Sequence, residues 1–251
     1  MRYTDRYMEK ECIIIPDVHG RKFWRKAVNG NEDRRIIFLG DYLDPYPSEG
    51  VTYMDASNEF NDILEFKRLH PDNVTLLLGN HDLGYLDPGI CEVRRDYERA
   101  GYYKELIRDN IALFDLVALE ESADCEILFS HAGIRTTWLR QNDWLFDLKG
   151  FRPEILNIMF HDEANRENLF VALADAIRLR GGMSAAGSVI WADAQEFIYG
   201  NDELPGYVQI FGHSLHRSGL LRIDAHLWCL DCARAFKLEL TDDGYCIHEA
   251  Y

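Results

Sequence analysis

Five short apolar runs in this chain each stop at a side chain that can hold a cation or move a proton. In chain order they read CIIIPDVHG, RIIFLGDYLD, VTLLLGNHD, CEILFSHAG and YVQIFGHS. Runs of Ile, Val, Leu and Phe without polar alternation suit strands covered on both faces, as in a sheet with helices packed over it. Helical periods lie between the runs. DASNEFNDILEFKRLH puts Phe60, Ile63 and Leu64 on one face, and EANRENLFVALADAIRLR does the same for Leu169, Leu173, Ala176 and Ile177. After Gly212 the pattern changes, and LLRIDA, HLWCLD, AFKLEL and, past the turn TDDG, YCIHE read as successive hairpin strands. The expected fold is α/β, with two mixed β-sheets packed together and helices outside. At 251 residues and 47% hydrophobic content, with no linker or repeat, residues 1–251 are expected to form one domain carrying a helical insertion at about 136–182.

Charge narrows the partners. Acidic side chains outnumber basic ones 43 to 27, a formal charge of −16. That field opposes non-specific attraction to nucleic acid or to an anionic membrane surface. No apolar run is long enough to span a bilayer, and the segment MRYTDRYMEKE lacks the apolar centre of a signal peptide. A cytoplasmic location is expected, with neither nucleic acid nor membrane as partner. The six cysteines, at 12, 91, 125, 229, 232 and 246, show no disulfide framework. Cys229 and Cys232 form a lone C-x-x-C within strand-like sequence, and reduced thiols are expected there in place of a zinc knuckle or redox pair.

The polar clusters fall beyond the carboxyl ends of the expected strands, where α/β sheets gather their functional groups. Any one of them is explained by turn chemistry, since Gly-Asp and Gly-Asn are common turn pairs. Together, Asp17, His19, Asp41, Asn80, His131 and His213 supply mixed oxygen and nitrogen donors. Such a set suits Mn, Fe, Zn, Ni or Co better than Ca, and its size fits two ions. A carboxylate can bridge two cations, and a pair roughly 3.5–4 Å apart can hold a hydroxide and clamp a phosphoryl group. Two divalent ions, two aspartates and a hydroxide sum to about +1, locally favourable to phosphate.

PDVHG, GDYLD, GNHD, SHAG and FGHS, in this order, resemble the calcineurin-like metallophosphoesterase superfamily. The SHAGI form is most similar to the branch of phosphoprotein phosphatases and symmetrical dinucleoside tetraphosphatases, and GNHDLGYL, IWAD and CLDC look like the tetraphosphatase and bacterial phosphatase versions of their segments. The resemblance spans residues 12 to about 232. It implies a four-layer αββα fold and a metal-dependent phosphatase. The substrate would be a phosphomonoester of the Ser/Thr/Tyr phosphoprotein kind or, alternatively, dinucleoside tetraphosphate or another nucleotide. It also implies two divalent transition-metal ions, Mn foremost, with Asp17 and His19 on the first, Asp41 bridging, and Asn80, His131 and His213 on the second. His81 and Asp44 would form a dyad in which His81 protonates the leaving oxygen as a metal-bridging hydroxide attacks in line. Asp82 reads as a helix cap.

Departures from the family pattern matter as well. Pro45 stands where the phosphoprotein phosphatases carry a phosphate-gripping arginine, which leaves Arg135 and Arg180 as candidates for that grip. The G-H-x-H of many members is absent, because the next histidine, His216, is three positions beyond His213, so His216 is expected at the rim. His70, His161, His226 and His248 have no motif context. Tyr42, Tyr46, Tyr85 and Trp191 border the site, where burial explains them more simply than stacking on a substrate ring. A non-catalytic member would have no reason to keep the complete ligand set, and the acidic charge argues against a metallonuclease. Specificity is expected to reside in loops 85–110 and 136–182.

Overall fold

The computed structural model describes residues 10–90, 94–122, 124–241 and 244–250. Strand β1 (Lys10–Ile15) shows why the first apolar run lacks polar alternation. Cys12 and Ile14 enter one hydrophobic cluster while Ile13 and Ile15 enter another, and all four are buried. The remaining strands are β2 (Arg35–Phe38), β3 (Val74–Leu77), β4 (Phe114–Asp115), β5 (Val117–Glu121), β6 (Glu126–Ser130), β7 (Tyr207–Phe211), β8 (Leu221–Arg222), β9 (Leu227–Cys229), β10 (Phe236–Thr241) and β11 (Gly244–Glu249).

They form two mixed sheets. One has the order β11-β10-β1-β2-β3-β4, parallel from β1 to β4 and antiparallel at β1-β10 and β10-β11. The other runs β5-β6-β7-β9-β8, with β6-β7-β9 parallel and antiparallel strands at both edges. The sheets meet face to face: Cys12, Ile14, Ile37 and Leu77 of the first share a core with Ile127, Phe129, Val208 and Ile210 of the second. Burying such a layer is the main favourable term in the fold.

Helices cover the outer faces. They are α1 (Phe23–Val28), α2 (Tyr53–Leu69), α3 (Asn80–Leu86), α4 (Ala100–Asp109), α5 (Thr136–Gln141), α6 (Glu154–His161), α7 (Glu163–Leu173) and α8 (Ala194–Gly200). Helix α2 starts at a capping box between Thr52 and Asp55 and buries Phe60, Ile63 and Leu64, the face expected from its period. No helix among the described residues is long and apolar enough to cross a membrane.

One expectation changes. Helix α7 stops at Leu173, so only Leu169 and Leu173 of the expected stripe are helical. Beyond it the carboxylate of Asp175 accepts from Asn142 and Ser184, and its carbonyl accepts from Ser188, contacts that draw the chain out of the helix. The four C-terminal strands pair as two hairpins, as expected, one in each sheet. β8 and β9 pair within the second sheet and β10 and β11 within the first, because β9 joins β7 while β10 joins β1. Asp242 and Asp243 of the turn TDDG lie outside the described residues, as do Cys91 and Met1–Glu9.

Candidate metal centre

Backbone strain marks the site first. Outside glycine, a positive φ is found at His19, Asp41, Asp44 and His213, all in loops just beyond strand ends, and at Asn201 and Ala233 elsewhere. Such conformations are unfavourable for L-residues and persist where surrounding structure over-determines them. Here the loops hold each other: the N–H of His19 donates to the Asp41 carbonyl at 2.7 Å and that of Gly20 to the Tyr42 carbonyl at 3.0 Å. Asp82 completes the lock. It is fully buried in the first turn of α3, and its carboxylate accepts from the N–H groups of Gly79, Asp41 and Tyr42 at 2.9, 2.7 and 3.0 Å. It caps the helix, as expected, and also pins the Asp41 loop some forty residues away.

The ring tautomers point inward. Nδ1 of His19 donates to the Leu43 carbonyl and Nδ1 of His131 to the Leu39 carbonyl, each at 2.8 Å. In the neutral rings, Nε2 is therefore an acceptor. Nε2 of His19 lies 3.5 Å from Asp41 Oδ2. Nε2 of His131 lies 3.6 Å from the same oxygen, 3.0 Å from Asn80 Oδ1 and 3.2 Å from His213 Nδ1. Nε2 of His19 and of His131, Asp41 Oδ2 and Asn80 Oδ1 are acceptors that repel one another unless a cation lies among them, and a backbone carbonyl fixing the far ring nitrogen is the usual support of a metal-binding histidine. The donor set thus fits divalent transition metals.

Two groups emerge at these strand ends, each with one donor atom per residue within 4.8 Å of the others: His19, Asp41 and His81, and Asp41, His131 and His213. Asp41 belongs to both. Its Oδ1 accepts the His81 N–H at 3.0 Å, while Oδ2 turns to the two imidazoles. Asp17 stands alongside, its carboxylate accepting the His213 N–H at 3.0 and 3.1 Å. A Cβ at Gly79 would lie 2.1 Å from Asp41 Oδ1 and one at Gly212 would lie 2.1 Å from Asp17 Oδ1, so only glycine lets these loops close on the carboxylates.

Protonation follows from burial and charge. Burial pushes His19 down to about 3, and His213 is held well below the imidazole range by burial and by the nearby Arg180. Both rings are neutral and ready to bind a cation. Asp17 is raised by burial and by the neighbouring Asp41 carboxylate, a repulsion that a cation would relieve. For His81, burial opposes the charged ring, yet Asp41 and the hydrogen bond and charge of Asp44 outweigh it and hold the pKa above the ordinary value.

His81 and Asp44 form the expected pair, with Nδ1 2.9 Å from Asp44 Oδ2 and 3.1 Å from the Arg94 carbonyl. The other Asp44 oxygen accepts from the Tyr85 hydroxyl at 2.5 Å, so Tyr85 positions the dyad, a role with no signal in the sequence. Tyr42 is core, stacked on Phe60, and Trp191 is buried with its ring edge-on to His213 at 5.5 Å. Tyr46 alone of the four is only partly buried, its ring 5.0 Å from His19. His216 is half-buried and outside both donor groups. Cys229 and Cys232 are free thiols, and Cys229 donates to the carbonyls of Gly212 and Ser214.

The two arginines part company. Arg135 is buried, with Nε donating to Asp202 at 2.8 Å and Nη1 to Glu196. Its fork is committed to carboxylates, which corrects the expectation that it grips phosphate. Arg135→Ala is expected to strand two carboxylates and to cost about 3 kcal/mol, read as a lower denaturation midpoint with metal content unchanged. Arg180 lies beside the centre: Nη2 contacts Asp193 at 2.7 Å and Ser214 Oγ at 2.8 Å, while its buried Nε has no partner among the described residues.

Comparisons with known proteins agree with this geometry. A family model described as calcineurin-like phosphoesterase matches residues 13–217. The serine/threonine-protein phosphatase 4 catalytic subunit of Eremothecium gossypii is 28% identical over 142 residues, 51% of this chain and 40% of that relative, so the match spans well under half of the relative's length. Among solved structures, the cold-active protein-tyrosine phosphatase of a psychrophilic Shewanella species superposes with a TM-score of 0.59 at 14% identity, covering 96% of this chain and 80% of that one. A mutant form of a cold-active protein tyrosine phosphatase gives 0.60 with the same identity and coverage. At that identity the likeness concerns the fold.

Proposed function

The chain belongs to the calcineurin-like phosphoesterase family, and from that premise we propose that it is a metal-dependent phosphatase that hydrolyses phosphomonoesters of the phosphoprotein kind. The observation that carries the reading is the placement of His81: Nδ1 is held by Asp44 at 2.9 Å, while the same ring shares a donor group with His19 and Asp41. A proton donor beside a cation site would suit ester hydrolysis.

Asp17 and His19 would hold one divalent ion and Asn80, His131 and His213 the other, with Asp41 common to both. Bound there, divalent ions supply Lewis acidity toward phosphoryl oxygens and acidify water. The protein's own groups do the rest. His81 faces the centre as proton donor to the departing oxygen, and Asp44 orients its ring and favours the cation. Tyr85 holds Asp44 in turn, and Arg180, bonded at Ser214 beside His213, would supply positive charge for the anion. Loops 85–110 and 136–182 would shape substrate choice.

A panel of phosphoserine, phosphothreonine and phosphotyrosine peptides, dinucleoside tetraphosphate, mononucleotides and 2′,3′-cyclic nucleotides, each with added Mn²⁺, tests the proposal. Preferred turnover of the phosphopeptides is the expected result. Preference for dinucleoside tetraphosphate would replace the substrate class, and inactivity across several divalent ions would remove the enzymatic reading.

A further inference from the structure

Position 45 is a proline, so the loop that carries Asp44 supplies no cation of its own. A different segment brings one to the same place. Arg94 lies between α3 and α4, and its guanidinium donates to the Asp44 carbonyl from Nε at 3.1 Å and from Nη2 at 2.5 Å. That carbonyl belongs to the peptide that joins Asp44 to Pro45. The planar face of the guanidinium meets the Tyr46 ring, with Cζ 4.0 Å from its centroid. Tyr46 lies edge-on to His19 at 5.0 Å, and His19 edge-on to His81 at 5.0 Å. The main chain of Arg94 is drawn in as well, since its carbonyl faces His81 Nδ1 at 3.1 Å.

We propose that Arg94 is a phosphate-binding residue of this centre, gripping the substrate's phosphoryl oxygens from the His81 side. Nη1 has no partner among the described residues, so two of the guanidinium's nitrogens are anchored and one is available to an anion. The residue is only half-buried, which leaves it open to a ligand. By contrast Arg21, the other guanidinium near the Tyr46 ring, donates to Glu49 from Nε and Nη2 and to the Asp17 carbonyl from Nη1, and has no such freedom. Arg94 and Arg180 approach from different elements, the first beside His81 and the second beside His213. Two arginines at one centre suit a dianionic phosphate, and they offset the repulsion that the buried acidic side chains Asp17, Asp41 and Asp44 would exert on an anion.

The proposal rests on the phosphatase reading only for the identity of the anion. Binding of inorganic phosphate to the Mn²⁺-loaded protein, measured by calorimetry, tests it without turnover. Arg94→Ala and Arg94→Gln are compared with the wild type, because glutamine keeps a donor for the Asp44 carbonyl while losing the charge. The expected result is phosphate affinity weakened roughly tenfold or more in both variants, with KM for an aryl phosphate rising in step and with metal content and denaturation midpoint unchanged. A role confined to bracing Asp44 would lower kcat in Arg94→Ala, spare Arg94→Gln and leave phosphate affinity intact, and that outcome overturns the proposal. Absence of phosphate binding by the wild type overturns it too. Phosphate binding that depends on Arg94 in a protein without turnover would retain this inference while the phosphatase reading fails.

Discussion

His81→Ala is expected to lower kcat by about 10²- to 10⁴-fold, the usual contribution of a positioned general acid, while leaving metal content unchanged. The reasoning begins with the leaving oxygen. An alkoxide leaving from phosphoserine is a strong base and must be protonated as the bond breaks, whereas a nitrophenolate departs readily unaided. The loss is therefore expected to be larger for phosphoserine peptides than for an activated aryl phosphate. Asp44→Asn removes the carboxylate that raises the His81 pKa and accepts at 2.9 Å from its ring, and should give a smaller loss with the same substrate order. Equal losses on both substrates would assign His81 to the donor group with His19 and Asp41, as a ligand and not as an acid. Metal analysis of the variant separates the two directly.

Asp41→Asn should be at least as damaging, for another reason. Asp41 is the one side chain present in both donor groups, with Oδ1 held by the His81 N–H and Oδ2 3.5 and 3.6 Å from the two imidazoles. Asparagine keeps the size but has one oxygen and no charge, so it cannot serve two cations. Metal affinity and kcat/KM are both expected to fall by at least about a hundredfold, beyond the usual cost of losing a supporting contact. Elemental analysis after gel filtration reads the first and an aryl phosphate assay the second. The fold should survive, because the buried carboxylates repel one another in the metal-free protein and removing one charge relieves that repulsion.

What the sequence reveals and what it hides follow from how far each signal reaches along the chain. Strand-end donors are local: an apolar run buried on both faces fixes the position of the residue that follows, and the side chains of Asp17, His19, Asp41, Asn80, His131 and His213 lie in or beside the two donor groups. The arginines are not local. The partners that immobilise Arg135, Glu196 and Asp202, lie 61 and 67 residues away, and nothing in the sequence around Arg135 announces them. Arg94 carries no motif because its place is set by the carbonyl of a residue fifty positions earlier. Asp82 shows both sides: its capping of α3 is readable from spacing, while its hold on the Asp41 loop requires the tertiary structure. The C-terminal strands are visible as strands, but their division between two sheets depends on which edge each one meets.

The central claim is that the strand-end side chains form one centre that binds two divalent ions and works only when they are present. Titrating the metal-free protein with Mn²⁺, with calorimetric binding and aryl phosphate hydrolysis followed together, tests it most directly. Two ions per chain, with hydrolysis absent in the metal-free protein and rising with occupancy, is the predicted result. Hydrolysis that persists without metal, or a protein that takes up no divalent ion, would contradict it.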